Sequence, residues 1–569
     1  MTFSQLFLEK CRSDGRICRW DGRNYRHSPA LVLLKKDGTK VEYAWFDYKN
    51  RVLQIIEGLK GRNLKKGEFV AIIALNLPES FFAILGAIFM GAVPVPINFM
   101  LLKNEGGREE LKKILGDCKP RIILGNAALK EFLPEDCVLI KQILSEGHEI
   151  IKNLNRGPKA KITVLEPEAR NSQDLFIMPY TSGTTGKPKG VMLNEDGMID
   201  RVSATMAELR VSDQERVPSY LPLGHIAELV ATFFGQIHSG YTIYFTEHIE
   251  ERIKNPDKFT KEFPPFLQQV QPTIFLGVPK IWIHFRQGIE KKLKKIPGVS
   301  FLRKSKTVNN FLIRQTKKQL GFQNTRIFIS AAAPINDMGQ DGIEFFQNLE
   351  INLNDIYGQT ETGGPILING QRIGNIVAMM LIRKEEQEII IQGQCLMLGY
   401  YNNPEATAKV LGDFNNNGKF TYHTGDACKW GKSISGIPGQ GLAKLLYAGR
   451  LDDGFKGADG EYRHASKIYE LENKLKKIKE VEEAIVCGEG KLFLVALIFT
   501  DKTFTRGLPC TYLAKKVRQR CLEIGEGLYK IKACYLANKD GLEYTATMKL
   551  KRKEVIKKFQ GVINTLTDR

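Results

Sequence analysis

Short apolar runs alternate with helical patterns over much of the chain. Residues 67–75 form a nearly continuous apolar run, as expected of a strand that is buried on both faces. An apolar helical pattern near 80–91 follows, and then a second β-rich run at 93–97. Similar short runs recur at 121–125, 273–277 and 326–330. Strands that alternate with helices at this spacing predict an α/β fold with parallel sheets.

No membrane-spanning segment is expected. The longest apolar run covers residues 81–97 and contains Pro94 and Pro96, whereas a spanning helix needs about 20 apolar residues. The first ten residues already carry Glu9 and Lys10, which is too early for the apolar core of a signal peptide. We therefore expect a soluble, cytoplasmic protein.

The composition is that of a globular protein with more than one domain. The chain has 569 residues, 43% hydrophobic and 26% charged, which excludes disordered, collagenous and coiled-coil classes. Its ten cysteines include no C-x-x-C pair, so neither a disulfide framework nor a zinc site is predicted. Buried free thiols in a reducing compartment are the simpler interpretation.

Positive charge dominates and is concentrated in part of the chain. The 83 Lys and Arg against 63 Asp and Glu leave a net charge of +20, which favours polyanionic partners such as nucleotides, nucleic acid or an anionic membrane. Residues 280–320 hold twelve basic residues and one acidic residue, with apolar residues interleaved. This pattern predicts an amphipathic helix with a basic face, and a simple solvated face is the alternative.

A run of glycines, hydroxyl residues and lysines at 180–193 carries the strongest chemical signal, Y-T-S-G-T-T-G-K-P-K-G-V-M-L. Backbone N–H groups, hydroxyls and lysines are all donors to phosphate oxygens. Apolar residues on both sides predict a strand–loop–strand element, unlike the G-x-x-x-x-G-K-[ST] loop that opens a helix. The candidate phosphate-binding residues are Thr181, Ser182, Gly183, Thr184, Thr185, Gly186, Lys187 and Lys189.

Four further motifs follow in a fixed order: D-I-Y-G-Q-T-E-T at 355–362, Y-H-T-G-D at 422–426, Gly449-Arg450 before Asp452, and T-A-T-M-K-L-K-R at 545–552. With the 180–193 string, they resemble the signatures of the adenylate-forming superfamily. The segments 221–228, 272–282 and 330–334 look most like those of long-chain fatty acyl-CoA synthetases. The resemblance implies a large α/β adenylation domain, 1–451, and a small mobile α+β lid, 452–569, hinged at Asp452.

The resemblance also implies the reaction. A fatty acid would be activated with ATP and Mg²⁺ to acyl-AMP, and the acyl group would then pass to CoA. Lys549 matches the family's catalytic lysine, although Lys551, Arg552 and Lys553 are close and only the motif favours Lys549. By the same resemblance, Glu361 would bind Mg²⁺ with Thr181 or Thr184. Asp426, beside Arg450, would bind the ribose, and Tyr357 would stack on adenine, with Gly358 and Thr360 in the same motif. His225 would line the acyl site.

Three departures mark a divergent member: Asn194 after the 180–193 string, Pro179 before it, and a short segment between Thr362 and Glu388. Two alternatives stay open. One is a fatty acyl-AMP ligase that passes its acyl group to an acyl carrier protein. The other is a non-catalytic basic protein that binds membrane or nucleic acid, although Lys549, Glu361 and Asp426 are retained. We expect no nucleic acid partner, and peripheral contact with the inner face of an anionic membrane.

Overall fold

The computed structural model describes residues 1–11, 28–154, 165–182, 187–294, 305–338, 340–383, 386–412, 420–431, 444–478, 480–500, 512–544 and 550–567. Several residues named above lie outside this part of the chain: Gly183, Thr184, Thr185, Gly186 and Lys549, together with the side chain of Ser182 and residues 295–304 of the basic segment.

Three sheets with parallel pairing form the framework of the large part of the chain. The first has the order β4-β3-β5-β6 and is parallel throughout; the second is β10-β11-β1-β2; the third is β12-β13-β14-β15-β16, with an antiparallel end. Their strands are β1 Pro29–Leu34, β2 Lys40–Ala44, β3 Phe69–Ile73, β4 Val93–Ile97, β5 Ile122–Gly125, β6 Val138–Leu139, β10 Arg216–Pro218, β11 Thr242–Thr246, β12 Ile274–Gly277, β13 Ile327–Ser330, β14 Leu353–Gln359, β15 Gly364–Ile368 and β16 Gln371–Arg372. The predicted α/β architecture is confirmed.

Sheets with mainly antiparallel pairing carry the rest of the large part and the C-terminal part, where β26 and β27 form a parallel pair. Their strands are β7 Leu175–Ile177, β8 Tyr180–Ser182, β9 Pro188–Asn194, β17 Val377–Arg383, β18 Glu386–Gln392, β19 Gly399–Tyr400, β20 Leu411–Gly412, β21 Thr421–Gly431, β22 Lys444–Arg450, β23 Phe455–Lys456, β24 Tyr462–Arg463, β25 Glu483–Cys487, β26 Leu494–Thr500 and β27 Ile531–Asn538. β8 pairs with β9, so the strand–loop–strand prediction for the phosphate-binding string is confirmed.

Helices cover the sheets and supply most of the core. They are α1 Phe3–Lys10, α2 Trp45–Lys60, α3 Pro78–Phe89, α4 Glu105–Cys118, α5 Ile140–Leu154, α6 Glu195–Glu208, α7 Ile226–Glu228, α8 Gly235–Ser239, α9 Glu251–Lys254, α10 Pro256–Val270, α11 Pro279–Leu293, α12 Lys306–Leu320, α13 Gln340–Gln347, α14 Pro404–Val410, α15 Ala465–Lys476, α16 Tyr512–Leu522, α17 Arg552–Lys558 and α18 Gln560–Thr567. All residues of α3 except Glu79 are buried, which explains its almost uninterrupted apolar sequence. Within the described ranges, no helix is long and apolar enough to cross a bilayer.

The strand β4 lies at one edge of its sheet. Val93 N–H donates to Glu68 O at 2.9 Å, on the side that faces β3, while Pro94 points the other way and its carbonyl accepts from Met178 N–H at 3.1 Å. Pro96 shares the side of Pro94, because residues two apart in a strand point the same way. These prolines are therefore accommodated without loss of the β3–β4 ladder.

The C-terminal part begins after a short 3₁₀ turn, Leu451–Asp453. Its three-stranded sheet, β25-β26-β27, has an apolar cluster on each face. The helix α15 also packs against β22, where the ring of Tyr469 meets that of Tyr447 edge-on at 5.6 Å. The division of the chain at Asp452 into a large domain and a lid stays a prediction.

Candidate functional site

A buried carboxylate joins two of the sequence motifs. Asp426, on β21, is 3% exposed and lies opposite Arg450, the last residue of β22. Arg450 Nη1 donates to Asp426 Oδ1 at 2.6 Å. Tyr357 Oη and Gln359 Nε2, both on β14, donate to Asp426 Oδ2 at 2.6 Å each. A carboxylate has about four lone-pair sites, so one site of Oδ1 stays open to a further donor.

The ring of Tyr357 is fixed by this contact. Burial raises the pKa of its phenol, and the neighbouring charge of Asp426 raises it further, so the hydroxyl stays protonated as a donor. Gln359 is held in turn by Tyr422, whose hydroxyl donates to Gln359 Oε1 at 2.5 Å. Gly358 must be glycine here, because a Cβ would come within 2.3 Å of Gly364 O. The sheet thus presents an aromatic face beside a carboxylate in a defined geometry.

A second buried carboxylate shapes the turn that carries Asp426. Glu388, on β18, is fully buried; its Oε1 accepts from Gly425 N–H at 2.8 Å and its Oε2 lies 2.8 Å from His423 Nδ1. Gly425 has φ +70°, a conformation that favours glycine. Glu388 therefore fixes the T-G-D turn from the neighbouring strand.

Glu361 lies in a 3₁₀ turn, Thr360–Thr362, directly after β14. Tyr400 Oη donates to Glu361 Oε1 at 2.9 Å, and Lys189 Nζ lies 4.6 Å from the centre of the Tyr400 ring. Lys189 in turn pairs in register with Thr181 across β8 and β9. The structure therefore brings the described end of the phosphate-binding string beside Glu361, while Lys187 is exposed at the start of β9.

The oxygen of Glu361 suits a hard cation. Mg²⁺ is usually held by one or two carboxylates together with substrate phosphates and water, so a single protein carboxylate is sufficient. Among the residues that the structure describes, no group of three or more His, Cys, Asp or Glu side chains could hold a metal by itself. The donor set thus fits a cation that arrives with a phosphate substrate.

A small apolar cavity of about 40 Å³ is lined by residues of β12, β13, β14 and α6. Its volume is far below the roughly 300–1,000 Å³ of small-molecule sites, so a ligand would fit only after the cavity walls move. Its two polar lining groups are occupied: Thr205 Oγ1 donates to Arg201 O and Tyr241 Oη to Ala231 O, each at 2.7 Å. The lining consists of Thr205, Met206, Leu209, Val211, Ala227, Val230, Ala231, Tyr241, Ile274, Leu276, Ile329, Ala331, Ile356 and Pro365.

Two residues of the cavity wall are close in sequence to residues of the candidate site. Ile356 directly precedes Tyr357, and Ala227 follows His225 by two residues. His225 is half-buried at the start of α7, where its Nδ1 accepts from Ala227 N–H at 3.1 Å. Because neighbouring residues of a strand point to opposite faces, the cavity lies on the face of β14 that is opposite the Tyr357 side chain.

Glu228 at the other end of α7 is an inward-pointing carboxyl that the sequence did not identify. It is 1% exposed, and Ser219 Oγ, Asn76 Nδ2 and Thr232 Oγ1 donate to its Oε1 at 2.6, 2.9 and 3.1 Å. Burial raises the pKa of Glu228 to about 7, although these hydrogen bonds oppose the shift. The cluster ties α7 to the ends of β3 and β10.

The basic residues that follow Lys549 have structural partners. Arg552 forms ion pairs with Glu472 and Asp453 and donates to Val486 O. Lys551 Nζ lies 3.5 Å from Glu554. Arg552 is therefore explained by the packing of the C-terminal part.

Sequence reasoning missed Gln359, Tyr400, Tyr422, Glu388 and Glu228. Gln359 and Tyr422 stand inside the quoted motifs, so their positions were a signal even though their side-chain directions were not. Glu228 is a charged residue inside an apolar run, and buried charge in such a run indicates a specific partner, whereas Glu388 ends a run of charged and polar residues and carried no such signal.

The fold and the arrangement of these side chains are those of an enzyme that uses a nucleotide. Residues 18–401 match the family model described as AMP-binding enzyme, and the chain belongs to that family. It is 26% identical over 528 residues to the long-chain-fatty-acid–CoA ligase ACSBG2 of Homo sapiens, covering 82% of this chain and 73% of that protein.

Solved structures agree with the fold. The adenylation domain of a carboxylate reductase from Mycobacterium chelonae superposes with a TM-score of 0.71 at 17% identity, covering 100% of this chain and 91% of that one. The anthranilate CoA ligase AuaEII, in complex with anthranoyl-AMP, gives a TM-score of 0.69 at 18% identity, covering 98% and 97%.

Proposed function

We propose that the protein is a long-chain fatty acid–CoA ligase that forms AMP. The contact of Tyr357, Gln359 and Arg450 with Asp426 is the observation that carries its nucleotide chemistry, and the similarity to ACSBG2 carries the choice of a long-chain acid. The similarity to ACSBG2 and to a CoA ligase that binds an acyl-adenylate supports the same assignment.

In the first step, a carboxylate oxygen of the acid attacks the α-phosphorus of ATP. The bond from that phosphorus to the bridging oxygen breaks, and pyrophosphate leaves with the electron pair. The nucleophile is already an anion, so the protein must mainly neutralise charge and hold geometry. In the second step the CoA sulfur attacks the acyl carbon, its proton is lost, and AMP leaves.

The nucleotide would be held by the Asp426 cluster and the phosphate-binding string. The open site on Asp426 Oδ1 suits a ribose hydroxyl, and Tyr357 would stack on adenine with Gly358 and Thr360 alongside. Thr181, Lys187 and Lys189 would bind phosphate oxygens. The same is proposed for residues 182–186.

Glu361 would hold Mg²⁺ on those phosphates, with Thr181 as a neighbouring oxygen ligand; the cation would neutralise phosphate charge. Lys549 would bridge the acid carboxylate and the α-phosphate, and His225 would lie at the mouth of the acyl site. We further propose that residues 452–569 act as a lid that turns at Asp452.

Association with an anionic membrane would bring the enzyme to its apolar substrate. Trp282, Phe285 and Ile289, the apolar side of α11, are buried in the protein, so they cannot enter lipid. The basic side is exposed at Lys291, Lys292 and Lys294. On α12, Phe311 is 59% exposed and shares a face with Arg314 and Lys318, which suits a peripheral, mainly electrostatic contact.

The test is pyrophosphate release from ATP with a panel of fatty acids of increasing length and with aromatic acids, each with and without CoA. A CoA ligase releases pyrophosphate with long-chain acids and produces acyl-CoA and AMP. Acyl-AMP that accumulates whether or not CoA is present would instead identify an acyl-AMP ligase that needs a carrier protein. No pyrophosphate release with any acid would overturn the proposal.

A further inference from the structure

A lysine of the large part of the chain contacts an aromatic ring of the C-terminal part. Lys280 Nζ lies 4.0 Å from the centre of the Tyr544 ring, well inside the range of about 6 Å for a cation–π contact. Lys280 is the second residue of α11, and Tyr544 stands five residues before Lys549 in the sequence. The contact therefore joins the basic helix to the segment that carries the proposed catalytic lysine.

The position of Lys280 is unfavourable without such a partner. A cation in the first turn of a helix opposes the positive end of the helix dipole. Burial lowers the pKa of Lys280, while the charges of Glu483 and Glu482 in the C-terminal part oppose that shift. Glu482 and Glu483 also pair with Lys539 and Lys476, so the ring of Tyr544 is the direct partner of the lysine.

Tyr544 and Leu550, the residues on either side of the segment 545–549, pair with each other. Tyr544 and Leu550 form an antiparallel bridge, and Lys551 N–H donates to Glu543 O at 2.8 Å. Leu550 packs against the apolar cluster on one face of β25-β26-β27. A contact that holds Tyr544 in place therefore also restrains Leu550, and with it both ends of the segment 545–549.

We propose that Lys280 is a positioning residue for acyl-adenylate formation: its contact with Tyr544 holds the base of the 545–549 segment so that Lys549 is presented to the nucleotide. This inference rests on the proposed function. It requires Lys280 in the first half-reaction, where Lys549 acts, and does not require it when CoA attacks an adenylate that already exists.

Two half-reactions separate this role from a general structural one. Lys280→Ala and Lys280→Gln should lower the rate constant of adenylate formation by roughly threefold to thirtyfold, as expected for loss of a partly desolvated cation–π contact. The KM for ATP should stay unchanged. Thioester formation from supplied acyl-AMP and CoA should also stay unchanged. Lys280→Arg, which keeps the cation, should restore most of the first half-reaction, and Lys261→Ala, which removes an exposed lysine of α10, serves as the control.

The partner is tested by a double-mutant cycle. Tyr544→Ala should reproduce the loss, Tyr544→Phe should retain activity, and the Lys280→Ala/Tyr544→Ala pair should be no worse than either single change. Equal loss in both half-reactions, or additive losses, would overturn the inference while leaving the proposed function in place. Absence of adenylate formation by the unaltered protein would instead reject the proposed function.

Unchanged melting temperatures identify variants that remain folded. If Lys280→Ala does not fold, Lys280→Gln, which keeps the aliphatic stem, is used to measure the effect.

Discussion

Arg450 holds Asp426 across two neighbouring antiparallel strands, with Arg450 Nη1 2.6 Å from Asp426 Oδ1. Arg450 is also the residue directly before the 3₁₀ turn Leu451–Asp453 that opens the C-terminal part. The side chain that orients the buried carboxylate is therefore adjacent to the proposed hinge, so in the proposed function Arg450 would serve both nucleotide binding and the position of the lid.

Asp426→Asn should weaken ATP binding. The change removes the charge that Arg450, Tyr357 and Gln359 share, and hydrogen bonds to a charged group contribute about 1.5–3 kcal/mol each. We expect the dissociation constant of a non-hydrolysable ATP analogue to rise roughly tenfold to a hundredfold in calorimetry. Asp459→Asn, which alters an Asp–Arg pair with Arg463 in the C-terminal part, is the matched control and should leave ATP affinity unchanged.

Tyr400→Phe should raise the Mg²⁺ requirement. Its hydroxyl orients Glu361, and loss of such an outer partner commonly costs about tenfold to a hundredfold in metal affinity. The measurement is pyrophosphate release against Mg²⁺ concentration at fixed ATP, with Glu361→Gln expected to be more severe. Tyr401→Phe, whose ring packs against Phe69 at 5.1 Å, should behave as the unaltered protein. If Tyr400→Phe and Glu361→Gln both showed the same Mg²⁺ dependence as the unaltered protein, the cation assignment would be contradicted.

Lys549→Ala should abolish most adenylate formation. Loss of an electrostatic donor used in the transition state commonly costs about 10²–10³ in rate. ATP binding and thioester formation from supplied acyl-AMP should survive, as judged by calorimetry and by acyl-CoA production. Lys551→Ala is the control, because Lys551 has an ion-pair partner in Glu554. A full loss from Lys551→Ala and none from Lys549→Ala would move the role by two residues.

Glu228 should make stability depend on pH. Its pKa is about 7 in the folded protein against an ordinary value of 4.5. Between these values the folded protein holds a proton that the unfolded chain has released, so the free energy of unfolding falls as pH rises. The contribution, roughly 3 kcal/mol, is fully present below pH 4.5 and lost above pH 7. Denaturant melts across pH 4.5–8 should give a smaller slope for Glu228→Gln; equal slopes would show that Glu228 does not carry the proton.

Reversal of the charges at Lys291, Lys292, Lys294 and Lys295 to Glu should release the protein from anionic vesicles. Each basic residue near an anionic surface contributes about 1 kcal/mol, so the four changes should weaken binding at least roughly a hundredfold at low salt. Co-sedimentation with phosphatidylserine vesicles at rising salt measures this, with neutral phosphatidylcholine vesicles as the control. Sedimentation that is the same for both proteins at every salt concentration would exclude membrane contact through this segment.

The fold was predictable wherever burial on both faces imposes continuous apolar sequence, as at β3, β5, β12 and β13. Two of the motifs also predicted residues that lie together, since Tyr357 and Asp426 form a hydrogen bond. The geometry of this contact was not predictable from the sequence. Glu388 reaches Gly425 across a strand pair whose register depends on the whole sheet, and a linear sequence does not record that register.

Side-chain partners over long separations were hidden for the same reason. Asn76 and Glu228 are 152 residues apart, and only the packing of α7 against the strand ends brings them together. The interleaved apolar residues of α11 were visible as a pattern, but the pattern could not tell protein core from lipid. The structure places Trp282, Phe285 and Ile289 in the core.

The prolines of β4 have a consequence for self-association. An exposed strand edge can template a strand from another molecule, because it offers alternating donors and acceptors. Pro94 and Pro96 remove both donors from the outer edge of β4, and the carbonyl of Pro94 is already occupied by Met178. Every residue of β4 is buried in the folded protein, so this edge could template another chain only before it is covered, and the two prolines deny an incoming chain a complete ladder there.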